Sequence, residues 1–239
     1  MSLLNKKVVV MGGTSGIGLA TAKAAASAEA SVIVTGRDSE RLKRALAALP
    51  ESAEGALVDA TSPDALKAFY TRSGPFDHLV LAVSGRLGGG PFIGLQTDTL
   101  RKAFEAKFFA YVTAVQTGLG TLRTGGSIVL VTASSARTSY PGTAGLAAIN
   151  GALEAMVPTL ALELKPTRVN AVSPGIIDTP WWDEWPREQR EAAFAQIAAS
   201  SPVGRIGRPE DIAQAILFLL EDSFMTGTVI ECDGGIRIK

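Results

Sequence analysis

The chain of 239 residues balances 23 Lys and Arg against 23 Asp and Glu, so its formal net charge is zero. No Lys/Arg block breaks that balance, which argues against nucleic acid or an acidic membrane surface as a partner. A hydrophobic content of 46% against 19% charged residues excludes disorder and supplies one large core. Residues 1–239 are therefore read as a single α/β domain. The lone cysteine, Cys232, cannot close an internal disulfide, which makes a cytoplasmic compartment the default. The N-terminus shows no signal-peptide pattern, and no run of about 18 apolar residues suggests a membrane span. With His78 as the only histidine, neither a His-based metal site nor a Ser-His-Asp triad is available. No metal is expected, and His78 reads as structural.

In chain order, the apolar β-branched run Val8-Val9-Val10-Met11 reads as a buried strand. It breaks into the glycine-rich turn Gly12-Gly13-Thr14-Ser15-Gly16-Ile17-Gly18, and an alanine-rich helix follows from Leu19 to Ala28. Strand, glycine turn and helix together form a phosphate cradle, since glycine permits close backbone approach and a helix N-terminus offers unpaired N–H donors. Strand two spans Ser31 to Thr35 and ends at Gly36-Arg37; a charged helix follows from Ser39 to Leu49. Strand three lies around Ala56-Leu57-Val58 and closes at Asp59, and helix three covers Pro63 to Arg72. Strand four (Asp77 to Val83) leads through Ser84-Gly85 and a glycine-rich loop into a long helix from Asp98 to about Leu119. Strand five (Ser127 to Thr132), a helix from Gly145 to Leu164 with Pro158 inside it, and strand six (Val169 to Val172) come next. A helix from Glu210 to Leu220 and a seventh strand, Thr228 to Cys232, complete the chain. Strands alternating with helices imply a doubly wound parallel sheet of about seven strands, helices on both faces, with ligand bound beyond the strands' C-terminal ends.

The spacing Gly12-x-x-x-Gly16-x-Gly18 resembles that of the short-chain dehydrogenase/reductase family. The likeness runs nearly end to end. Arg168-Val169-Asn170-Ala171-Val172-Ser173-Pro174-Gly175 resembles the family's sixth-strand motif. Gly204 to Ala213 and Asp233-Gly234-Gly235 resemble its C-terminal signatures. A Rossmann-type fold and a nicotinamide cofactor are what this resemblance implies.

At the end of strand two, NAD binders place an acid that accepts from the ribose 2′-hydroxyl. Here Gly36 is followed by Arg37, with Thr14 and Ser15 in the cradle loop. A guanidinium beside two hydroxyls suits a 2′-phosphate, so NADP(H) is the expected cofactor, although Asp38 stands adjacent. By resemblance, Asp59 caps the adenine. The segment Pro174-Gly175-Ile176-Ile177-Asp178-Thr179 holds the nicotinamide, with Pro174, Gly175, Ile177 and Thr179 as its contacts.

The family's catalytic positions are another matter. Alignment on strand five puts the family's serine at Ala133, its tyrosine at Leu146 and its lysine at Asn150, while the helix-four asparagine falls on Lys107. The Tyr-x-x-x-Lys pair is absent in any register, since Tyr140 is followed four residues later by Ala144. Replacement catalytic candidates are Ser134, Arg137 (expected to point toward the substrate) and Lys107. Trp181, Trp182 and Trp185 fall in the segment that forms the family's substrate lid, where clustered indoles suit an apolar or cationic ligand.

Two functions remain open on these residues. One is an NADP(H)-dependent oxidoreductase that passes hydride to a small iminium or activated C=C acceptor, in preference to a simple ketone. An iminium acceptor further requires that Lys107 point away or pair with a carboxylate such as Asp178. The other is an inactive NADP(H)-binding sensor. By resemblance, and from the small residues Ala147, Ala148, Gly151, Ala152 and Ala155, a homotetramer or homodimer is expected.

Overall fold

The computed structural model describes residues 3–238; Met1, Ser2 and Lys239, which the expected domain also takes in, lie outside the described residues. Seven strands form one parallel sheet in the order β3-β2-β1-β4-β5-β6-β7. They are β1 (Lys7–Met11), β2 (Ser31–Gly36), β3 (Glu54–Leu57), β4 (Phe76–Leu81), β5 (Leu122–Val131), β6 (Arg168–Pro174) and β7 (Val229–Cys232). The helices are α1 (Gly16–Ser27), α2 (Ser39–Ala47), α3 (Pro63–Ser73), α4 (Thr97–Phe104), α5 (Ala110–Gly118), α6 (Ala144–Glu163), α7 (Arg187–Ser200) and α8 (Pro209–Glu221).

The valine run explains why β1 lies in the middle. Strand side chains alternate between faces, so Val9 and Met11 enter one core with α3, α5 and α6, while Val8 and Val10 enter the other with α1 and α8. A strand buried on both faces must be apolar throughout, and Val8 through Met11 are all fully buried. Sequence order reverses between β1 and β4, which pair in register from Val8–His78 to Met11–Leu81. A crevice therefore opens beyond their C-terminal ends, at the switch point. Local sequence places the helices that flank it. Asp38 caps α2 by accepting from Arg41 N at 2.7 Å, and Ser62 caps α3 ahead of Pro63.

His78 is a structural residue. It lies buried in β4 with Nδ1 2.8 Å from Ser127 Oγ, and burial pushes its pKa down to about 4.

The helix expected from Asp98 to Leu119 is not one regular α-helix. Between α4 and α5 lies a π-helical turn, Glu105–Phe109, the kind of widened turn that recurs at functional sites. The sequence reading also passed over α7, none of whose residues is buried. Helix α6 continues through Pro158. By length and composition alone α6 could cross a membrane, but Ile149, Leu153 and Val157 are buried and the helix packs on β6 and on the π turn. It is a core helix of the sheet.

Candidate functional site

A cavity of about 790 Å³ runs along the crevice, from the ends of β1, β2 and β3 across β4 to the ends of β5 and β6. All twelve cofactor-contact residues read from the sequence line it: Gly12, Thr14, Ser15, Gly16, Ile17, Gly18, Arg37, Asp59, Pro174, Gly175, Ile177 and Thr179. The cradle is backbone against backbone. Gly12 has φ +78°, and a Cβ there would lie 2.7 Å from the Ala82 carbonyl; Gly18 packs on the Gly12 backbone. A side chain at either position would collide with that backbone and force the turn apart from β4 or from itself. Glycine is thus what lets the turn close tightly enough to bring its N–H groups to a pyrophosphate, and these residues fit the cofactor. Gly36 has its own reason: a Cβ would meet Thr14 Cγ2 at 2.6 Å, so glycine lets Thr14 fold over the end of β2.

Arg37 stands exposed at the mouth, beside Arg41, which sequence reading missed. The neighbouring carboxylates are engaged elsewhere. Asp38 is spent on capping α2. Asp59 accepts from Thr61 N at 2.9 Å and Thr61 Oγ1 at 2.8 Å, contacts that together with the Arg37 charge hold its pKa below the usual range. The mouth of the cavity beside β2 and β3 therefore presents two guanidinium groups next to two carboxylates that are held by their own neighbours.

The acceptor end is built from side-chain tips. Ala133, Leu146 and Asn150, at the places where the resemblance expects serine, tyrosine and lysine, all line the cavity. Lys107, in the π turn, lines it too. Its Nζ donates to Asn150 Oδ1 at 2.8 Å and to the Thr132 carbonyl at 3.4 Å. Asn150 is held in that orientation because its Nδ2 donates to Leu146 O at 2.9 Å and Ser135 Oγ at 3.2 Å. Burial pushes the Lys107 pKa down to about 8, and the charge of Glu154 opposes that fall. The ammonium thus neither points away from the cavity nor meets Asp178. Tyr111 lies beneath it, its ring centroid 5.9 Å from Nζ and its hydroxyl donating within reach of the Val83 and Val131 carbonyls, both at 3.0 Å.

Ser134 is buried and lines the cavity, as do Ser135 and Tyr140. Arg137 differs from its expected position. Its Nε donates to Glu154 Oε2 and its Nη1 to Glu231 Oε1, each at 2.8 Å, and it lies outside the cavity wall. The reason is electrostatic: Glu154, buried in α6, needs a cation, and Arg137 is the one that reaches it. Glu154 went unread in the sequence, yet it completes an i, i+4 series with Leu146 and Asn150 on one face of α6.

Trp181 and Trp182 line the cavity; Trp185 does not, and is exposed on the outside of the segment. The three indoles make a T-shaped chain, Trp181–Trp182 at 4.5 Å and Trp182–Trp185 at 5.3 Å. Trp181 Nε1 donates to Gly85 O, Arg86 donates to Pro180 O, and Arg86 pairs with Glu184. The lid segment is thereby tied to the loop after β4, over the acceptor end.

Residues 12–237 match the family described as enoyl-(acyl carrier protein) reductase. Over its whole length the chain is 32% identical to the short-chain dehydrogenase/reductase ATR9 of Stachybotrys chlorohalonatus, covering 99% of that protein. Among solved structures, a small-chain dehydrogenase in complex with NADPH superposes with a TM-score of 0.86 at 33% identity, over 98% of this chain and all of that one. A short-chain oxidoreductase of Pseudomonas aeruginosa PAO1, described as containing an atypical catalytic center, superposes at 0.91 with 29% identity, over 99% of this chain and 98% of that one.

Proposed function

The chain belongs to the short-chain dehydrogenase/reductase family, and from that premise we propose an NADP(H)-dependent oxidoreductase acting through a non-standard site. When bound, the reduced nicotinamide would supply a hydride. The chain's residues bind and orient the acceptor and handle charge. One observation carries the reading: a single cavity joins the glycine cradle to a lysine and an aromatic lid. An NADPH complex in a relative of similar fold, and the two guanidinium groups at Arg37 and Arg41, support NADP(H) as the cofactor.

Among acceptors, Lys107 decides. A cationic iminium would face an ammonium that no carboxylate among the described residues touches, at a cost that rises in a cavity shielded from water. An activated C=C bond places developing negative charge on a conjugated oxygen, which the same ammonium attracts. The activated C=C is therefore favoured over the iminium, and both over a simple ketone. One relative of similar fold, described as containing an atypical catalytic center, supports such a departure. We further propose a homotetramer or homodimer, because Ala148 and Ala155 are exposed on α6 and Gly151 opens onto free space, so a partner helix can approach closely.

The deciding assay follows NADPH absorbance against matched panels of activated enones, cyclic imines and ketones, with NADPH binding measured in parallel. Enones are expected to turn over fastest. Tight NADPH binding with no turnover on any panel would make the protein a sensor.

A further inference from the structure

We propose that Lys107 is the proton donor of this site, with the buried carboxylate of Glu154 as its positioning residue, and that the substrate class is small apolar carbonyl compounds conjugated to a C=C bond. This deepens the oxidoreductase reading and rests on it.

An ammonium has three N–H donors. Two of them go to Asn150 Oδ1 and the Thr132 carbonyl. Since Lys107 lines the cavity, the third is left for a ligand oxygen. The π turn brings the lysine in from the α4–α5 side, and Asn150 meets it from α6. Around that point the apolar side chains Leu87, Leu146, Ile149 and Trp181 share the wall with the hydroxyls of Ser134, Ser135 and Tyr140, while Arg86 is turned to Pro180 O and Glu184. Lys107 is thus the cation left facing a largely uncharged wall, which selects an uncharged ligand whose oxygen becomes negative during reaction.

Glu154 acts through Thr132. Its Oε1 accepts from Thr132 Oγ1 at 2.8 Å, and the Thr132 carbonyl accepts from Lys107. Arg137 holds the other carboxylate oxygen and Glu231 holds Arg137. Of the remaining titratable groups facing the lysine, Tyr111 on α5 is buried with its pKa pushed far up, and Tyr140 in the loop after β5 is raised by burial and by Asp233. Both stay neutral hydroxyls. Glu154 is accordingly the charge that opposes loss of the lysine proton, a proton held with a pKa of about 8.

The step balances. A hydride, which the reduced nicotinamide would supply while itself becoming oxidised, would form the new C–H bond at the β-carbon and shift the C=C electron pair through the conjugated carbonyl to its oxygen. One Nζ–H bond of Lys107 breaks and an O–H bond forms, giving the enol and a neutral amine. The enol relaxes to the saturated carbonyl, and Lys107 regains a proton from water.

The test uses the full chain saturated with NADP⁺ and titrated with 4-nitrophenol and 4-cyanophenol, whose phenolates carry an enolate-like oxygen and a distinct ultraviolet band. Wild type should bind them as phenolates, and Lys107→Met should weaken that binding at least tenfold and remove the phenolate band of the bound ligand, read as the difference from free ligand at the same pH. Thermal midpoints show whether each variant is folded, and Lys107→Gln stands in should Lys107→Met fail to fold. Phenolate binding should fall as pH rises through about 8. Glu154→Gln should move that limb to lower pH, which a purely structural role would not do. A phenolate band that persists in Lys107→Met, or a limb that Glu154→Gln leaves in place, overturns the proposal. Phenolate held by Lys107 with no enone turnover would keep Lys107 as the partner of a ligand oxyanion while defeating the oxidoreductase reading, and the proton-donor role with it. Enone turnover unaltered in Lys107→Met would do the reverse.

Discussion

Beside β1 and β2 the cavity wall is mostly backbone, with glycines at 12, 16 and 18 and a capped helix start at Asp38. Beside β5 and α6 it is made of side-chain tips: Ala133, Leu146, Asn150 and Lys107. The two walls share one sheet and one cavity, and on the function proposed above only the second departs from the family pattern. The difference has a physical origin. A cradle made of close backbone approaches cannot accept a Cβ without moving a strand, whereas a wall of side-chain tips can be refitted on an unchanged frame. Fold and cofactor contact are thereby separable from the chemistry that follows.

If the difference is confined to side chains, restoring them should restore the standard chemistry. The combined variant Ala133→Ser, Leu146→Tyr, Asn150→Lys and Lys107→Asn puts a serine, a tyrosine and a lysine back at cavity-lining positions. General acid catalysis is typically worth ~10²–10⁴ in rate, so ketone reduction should rise by at least ~10² over wild type in an NADPH absorbance assay. A folded variant that binds NADPH with no gain on ketones would show that the walls differ by more than these four residues.

The converse change belongs to the cradle. Gly12→Val forces a β-branched residue to a φ of +78° and drives Cβ to 2.7 Å from the Ala82 carbonyl. Backbone strain and overpacking each cost ~1–3 kcal/mol, so NADPH affinity by calorimetric titration should fall by ~10² or more. Leu146→Val on the opposite wall should change it by less than about threefold. Tight binding by Gly12→Val would break the comparison.

Arg37→Ala is a milder cut on the same side. A charge-assisted hydrogen bond is worth roughly 1.5–3 kcal/mol, and Arg41 nearby retains part of the field. NADPH affinity should drop about tenfold while NADH affinity holds. Equal losses for both would assign Arg37 to loop structure.

These walls were not equally legible in the sequence. The cradle could be read because its requirements are local: β-branched strand, glycine spacing, helix, all within Val8 to Gly18. At the acceptor wall, Ala133, Leu146 and Asn150 could be picked out by the resemblance, and Lys107 and Ser134 as candidates beside them, and all five line the cavity. How the charged side chains are aimed could not be read. Arg137 is drawn off by Glu154, 17 residues away, and Glu231, 94 away, partners that no local pattern announces. The direction of Lys107 depends on a π turn inside what reads as an ordinary helix. Helix α7 escaped notice because it buries none of its residues, so the apolar periodicity that marks a core-facing helix is missing.

The smallest expected effect bears on Asp38, the acidic side chain next to Arg37 on the cradle side of the cavity. If Asp38 serves only as the α2 cap, through its 2.7 Å contact with Arg41 N, Asp38→Ala removes an N-cap worth ~1 kcal/mol. In a chain of this size that lowers the thermal midpoint by about 2–4 °C. NADPH affinity should hold or rise slightly, because a carboxylate beside the 2′-phosphate position opposes it. NADH affinity should not fall, since the carboxylate already accepts from the helix and leaves the ribose to others. The competing possibility is that Asp38 accepts from an NADH ribose hydroxyl in the bound state. In that event NADH affinity falls about tenfold and the thermal midpoint of the unliganded protein barely moves. That pairing of results would place a side chain among the determinants of the cradle, and the division between a backbone wall and a side-chain wall would no longer hold at its cofactor end.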